Sequence, residues 1–169
     1  MPRPATGTFP AYYANYISLV QVDDVPAAIE TYSKDILTFW RNIPVEKHTH
    51  RYAEGKWDLK EMLQHVIDTE RIFAYRALRL ARKDTTPLPG FDEVAYAANS
   101  KASDRPWDDL LAEFECTRQS TNLLLLSFDE EQLQQQGFAN DNPVTVHAIC
   151  FIIYGHLLHH QNIISERYL

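Results

Sequence analysis

The sequence predicts an all-α chain, a four-helix bundle with short accessory helices. Three observations point there. Four stretches of the 169 residues carry apolar side chains at helical spacing. The period-2 alternation of a half-buried strand is nearly missing. Glycine, at 5 residues, is too scarce for the turns of a many-stranded fold. Residues 1–169 read as a single domain. Their 45% hydrophobic and 23% charged content supports a core large enough to need no covalent staples.

The elements follow in order. Residues 1–20 read as an extended N-terminal arm, because Pro2, Pro4 and Pro10 discourage a helix. Tyr12, Tyr13 and Tyr16 suggest that this arm packs on something. The first long helix starts at Asp23-Asp24 with Pro26 at its entry, and Ile29, Tyr32, Ile36, Phe39, Trp40 and Ile43 keep its period until Pro44. Residues 45–56 form a polar connector that leaves His48 and His50 in solvent. The second long helix opens at Asp58 as N-cap, with Glu61 in capping-box position, and runs to about Lys83. Arg79, Arg82 and Lys83 suit its negative pole. Thr85 to Phe91 is a turn and Asp92 to Asn99 a short helix. Pro106-Trp107 opens a third long helix that ends near Ser127. Asp129 to Gln136 is another short helix, stopped by Gly137, and Ala139 to Pro143 is a loop. The last helix runs from near Thr145 to the C-terminus. Trp40, Trp57 and Trp107 read as core and cap aromatics, with Trp57 placed to line a pocket because it opens the second helix.

Charge and composition exclude several functions. The net charge of −7 repels phosphate backbones, so nucleic acid is not expected as a partner. Cys116 and Cys150 make no CxxC pair and read as reduced thiols of a cytoplasmic protein, Cys150 in the core. The longest apolar run, Ala148 to Tyr154, falls far short of the roughly 20 residues that cross a bilayer, and the N-terminus lacks the apolar stretch of a signal peptide. A Ser-His-Asp triad and a phosphate-cradling loop are not evident.

The chemistry lies in the histidines. His156 and His160 are four residues apart, within roughly 40° of each other around a helix. On the same face lie Ile149, Ile153 and Ile164. His65 falls beside Met62, Thr69 and Phe73 on the inward face of the second helix. A bundle brings the two faces together, so three neutral imidazoles meet with coordination positions left open. Such a set suits zinc, nickel or another divalent transition metal. The plainer alternative for the same residues is a cluster of hydrogen-bonded core histidines. His159 reads as a supporting or surface residue, and His147 as exposed or near a cap. Asp68 and Glu70 read as surface partners of Arg71 or Lys60, ahead of a role behind an imidazole or as a general base. Arg76, near the His65 face, reads as part of a solvated basic stripe, ahead of a role in holding a substrate carboxylate.

Several stretches together resemble the DinB-like superfamily of metal-binding bundles, in particular its YfiT-like branch. They are Tyr52-Ala53-Glu54-Gly55-Lys56-Trp57, Gln64-His65 with Asp68, Glu70 and Arg71, Pro87-Leu88-Pro89-Gly90-Phe91, and Gly155-His156 with His159-His160 and Glu166-Arg167-Tyr168-Leu169. The resemblance extends from about residue 22 onward. It implies metal ligands at His65, His156 and His160, a homodimer, and a small-molecule substrate. It also implies an enzyme, either a thiol S-transferase that uses a low-molecular-weight thiol as co-substrate or a metal-dependent hydrolase. A non-catalytic metal- or ligand-binding stress protein is the alternative function. DNA binding, suggested by the family's historical name, is opposed by the charge.

Overall fold

The computed structural model describes residues 3–169, so Pro2 lies outside the described residues. Four long helices form the bundle: α2 (Val25–Arg41), α3 (Leu59–Ala81), α5 (Trp107–Leu126) and α7 (Val146–Arg167). Each packs on two others, in the cyclic order α3, α5, α2, α7. Three short helices join them: α1 (Ala14–Leu19), α4 (Glu93–Asn99) and α6 (Glu130–Gln134). Among the described residues no helix is long and apolar enough to cross a membrane.

Side-chain caps define where most of these helices begin. Asp24 accepts from the Ala27 N–H and Thr145 from the Ala148 N–H. Asp58 and Glu61 form the reciprocal capping box that their spacing predicts. Asp129 and Gln132 form a second one. These boundaries agree with the sequence to within a few residues, because a capping carboxylate acts locally.

The N-terminal segment departs from the sequence reading. It is not extended throughout: Ala11–Tyr13 make a 3₁₀ turn that leads into α1. The prolines all precede this stretch, so they do not oppose it. α1 lies on α7, and the contact is close. A Cβ on Gly155 would overlap the Tyr16 carbonyl oxygen. Covered by α1 outside and by α2 and α3 inside, α7 buries every residue from Val146 to Leu157. His147, expected to be exposed or near a cap, is in that run and is buried in the first turn.

A β-hairpin replaces the loop expected at 139–143. β1 (Gln136–Ala139) pairs antiparallel with β2 (Asn142–Thr145). Asn140 and Asp141 both take positive φ, at 50° and 59°, as a two-residue hairpin turn demands. Leu88 bridges to this hairpin: its N–H donates to Phe138 O and its carbonyl accepts from the Asn140 N–H, each at 2.9 Å. The Thr85–Phe91 turn is thereby tied to the end of the bundle.

A polar network crosses the middle of the bundle. Glu70 and Arg118 are buried 2.9 Å apart, off hydrogen-bond alignment, so the attraction is charge on charge. Arg118 also donates to Asn122 Oδ1 at 2.7 Å and lies over the Tyr154 ring at 4.6 Å. The Tyr154 hydroxyl donates to Asn122 Oδ1 and pairs with Ser33. Glu70 is thus a core residue, not the surface partner expected from its neighbours Arg71 and Lys60. The inward position of its helix face outweighs local charge pairing. Arg118→Met should destabilise the protein by about 3–5 kcal/mol, because Glu70 would stay buried without its cation. Urea denaturation at neutral pH measures this. A loss under 1 kcal/mol would refute the role assigned to the pair.

Candidate metal centre

α3 and α7 deliver the three histidines expected from the sequence to one point. His65 Nε2 lies 3.1 Å from His156 Nε2, and His160 Nε2 lies 2.9 Å from the same atom. The three ligand atoms all fall within 4.8 Å of one another. His156 and His160 are buried and His65 is half-buried. The four-residue spacing along α7 and the packing of α3 against it bring the three rings together.

The electrostatics keep the rings neutral. Burial holds the His65 pKa down at about 4, with His159 adding to the effect. Burial and the neighbouring imidazoles push His156 and His160 well below the usual range. Hydrogen bonding alone does not satisfy the cluster. One nitrogen, His156 Nε2, faces two others, and the buried Nδ1 of His160 has no partner. Three neutral nitrogens aimed at one another are a donor set that fits a cation.

The cluster forms one end of a pocket of about 540 Å³. Trp57 packs against the His65 ring at 4.8 Å, and Tyr16 against His156 at 5.6 Å. The tyrosines of the N-terminal segment therefore do pack on something, and what they cover is this site. Tyr13 and Tyr16 stay protonated, their phenols raised by burial and, for Tyr16, by the Glu93 carboxylate. Along α3, Thr69, Phe73 and Arg76 continue the stripe begun by His65, and Gly90, Phe91, Glu93 and Asn140 close the far side. Arg76 is a correction: it is 4% exposed, not solvated. It sits under the Pro89 turn, a contact that helix periodicity does not reveal. Glu93 and Asn140 carry no sequence signal, since the start of α4 and a hairpin turn bring them in.

The remaining candidates lie elsewhere. His48 is buried, not in solvent: it stacks on Trp107 at 3.9 Å between centroids, and its Nε2 meets Ile43 O. His50 is exposed as expected. His159 packs on Tyr16 at 4.9 Å, beside the cluster. Asp68 accepts from Gln64, which leaves Arg71 to Glu113. Cys150 is in the core, its thiol pushed up to about 12 by burial, and Cys116 is exposed.

The depressed histidines make stability depend on pH. His65 and His147 each stay neutral down to about pH 4 when folded, whereas an unfolded histidine takes a proton near 6.5. Between those values the unfolded chain binds more protons, so stability falls as pH drops from about 6.5 to about 4. Urea midpoints of metal-free protein across this range should show it, with a shallower slope for His147→Gln. A flat profile would contradict the buried neutral state.

Comparison with known proteins identifies the family. The family model of the DinB superfamily matches residues 28–164. A candidate metal-dependent hydrolase of Oceanobacillus iheyensis is 31% identical over 70 residues. That match covers 41% of this chain and spans 40% of the relative's length. Among solved structures, YfiT from Bacillus subtilis is described as "a probable metal-dependent hydrolase with an unusual four-helix bundle topology". It superposes with a TM-score of 0.68 at 16% identity, covering 97% of this chain and 90% of YfiT. A DinB-like protein from Bacillus subtilis, YjoA, superposes with a TM-score of 0.58 at 17% identity, covering 84% of this chain and 87% of that one. The family match spans all four long helices but for the first turn of α2 and the end of α7, and the chain belongs to the DinB superfamily.

Proposed function

We propose that this protein is a divalent-metal-dependent hydrolase of a small molecule, with His65, His156 and His160 as the metal ligands. The observation that carries the reading is the convergence of three neutral imidazoles at the inner end of a ligand-sized pocket. A bound zinc or nickel ion would act as a Lewis acid, lowering the pKa of a water or thiol in an open coordination position.

The chain's own residues do the rest. Trp57 and Tyr16 pack on the His65 and His156 rings and line the pocket beside them. The Tyr13 and Tyr16 hydroxyls keep their protons and can donate to an oxygen that gains charge in the pocket. Glu93 is the pocket's carboxylate and can accept a proton. Neither cysteine lines the pocket, so in the thiol-transfer version of this chemistry the thiol arrives as a co-substrate.

Protein purified without an affinity tag should carry about one transition-metal ion per chain, read by elemental mass spectrometry. Alanine at His65, His156 or His160 should lower metal affinity at least tenfold. Hydrolysis of ester and amide panels should require the metal and fail in the same variants. Normal metal occupancy in all three variants would overturn the ligand assignment. A loaded protein that transfers small thiols but hydrolyses nothing would favour the transferase version, and one inactive in both would favour a binding protein.

A further inference from the structure

One side of the pocket is a single helical stripe of four different chemistries. His65, Thr69, Phe73 and Arg76 follow one another along α3 at steps of four, four and three residues, spanning about 16 Å of helix. The stripe ends in a buried cation. Arg76 is 4% exposed, yet among the described residues its guanidinium has no carboxylate partner. One Nη donates to Pro89 O at 2.6 Å. The Phe73 and Phe91 rings flank its Cζ at 5.6 and 6.0 Å. A guanidinium has five N–H donors, and a buried charge without a counter-ion is costly. Among the described residues the other buried arginine, Arg118, meets that cost with Glu70. Thr69 lines the wall between His65 and Phe73.

We propose that Arg76 is the anchor for a carboxylate on the substrate, and that the substrate lies along α3 with its reacting group at the histidines. This proposal rests on the hydrolase reading of the same pocket. In this pose the carboxylate takes the free side of the guanidinium fork. The body of the molecule crosses Thr69 and Phe73. Phe73 sets the scale, since its ring lies 5.6 Å from Arg76 Cζ and 6.4 Å from the His156 ring. A small carboxylic acid of a few bonds' length spans that gap. Glu93, on the same pocket, disfavours a doubly charged phosphate, whereas one guanidinium neutralises one carboxylate.

Two probe pairs test the two ends separately. Metal-free protein is titrated with 3-phenylpropionate and with the neutral 3-phenylpropanol, by calorimetry and tryptophan fluorescence. The carboxylate should bind at least about tenfold more tightly than the alcohol. Arg76→Gln should abolish that preference while keeping the alcohol's affinity, and Arg76→Lys, lacking the fork, should keep part of it. Equal binding of the two probes to the wild-type protein would overturn the proposal, and this result needs no variant to fold. So would a preference that survives in a folded Arg76→Gln protein. Metal-loaded protein is then titrated with hexanohydroxamate and with the monohydroxamate of adipic acid. Failure of both hydroxamates, with the carboxylate preference intact in metal-free protein, would count against the metal reading and leave the anchor standing. Equal binding of the two would overturn the pose along α3.

Discussion

The Glu70–Arg118 pair and the groups around it touch all four long helices. Ser33 comes from α2, Glu70 from α3, Arg118 and Asn122 from α5, and Tyr154 from α7. An apolar interface tolerates small slips along a helix axis, because any methyl can replace another. A buried charge cannot slip, since moving by one turn would leave it without its partner. Glu70 lies five residues from His65, and Tyr154 lies two from His156. The register that pairs Glu70 with Arg118 therefore also sets the heights of the histidines on α3 and α7. The histidine cluster inherits its geometry from a network that lies outside it.

The centre itself is held together against its own electrostatics. Two imidazoles are brought to within hydrogen-bonding distance of His156, and all three lie close enough that protonation of any one raises the cost of protonating the next. The packing that forces this comes from outside the cluster. α1 presses its backbone against Gly155, and Tyr16 and Trp57 close over the rings. The result is a set of neutral nitrogen donors lining a pocket whose other features are aromatic, hydroxylic, cationic at Arg76 and anionic at Glu93.

The fold was legible in the sequence where causes are local. Asp58 with Glu61, Asp24 before Pro26, and Thr145 before the apolar run each act within a few residues, and each marks a real helix start. His65, His156 and His160 were legible because helical periodicity places them on faces that a bundle must bury. Misreadings fall where the cause is distant. Residues 136–145 contain Pro143 and no clean alternation, yet they pair because Asn140 and Asp141 accept positive φ. His48 lies in a polar connector but finds Trp107, far away in the chain.

The sequence alone determined the helical class, the helix boundaries and the inward faces of α3 and α7, all through periodicity and capping that operate over one or two turns. Tertiary structure alone decided that α1 would roof the histidines and that Glu70 would meet Arg118 in the core. It also decided that the Pro89 turn, tied to the hairpin through Leu88, would bury Arg76 at the end of the pocket. The reason is physical: an arginine or a glutamate at a helix boundary stripe can face water or a partner equally well, and only the neighbouring element, folded from residues far along the chain, removes one of the two choices.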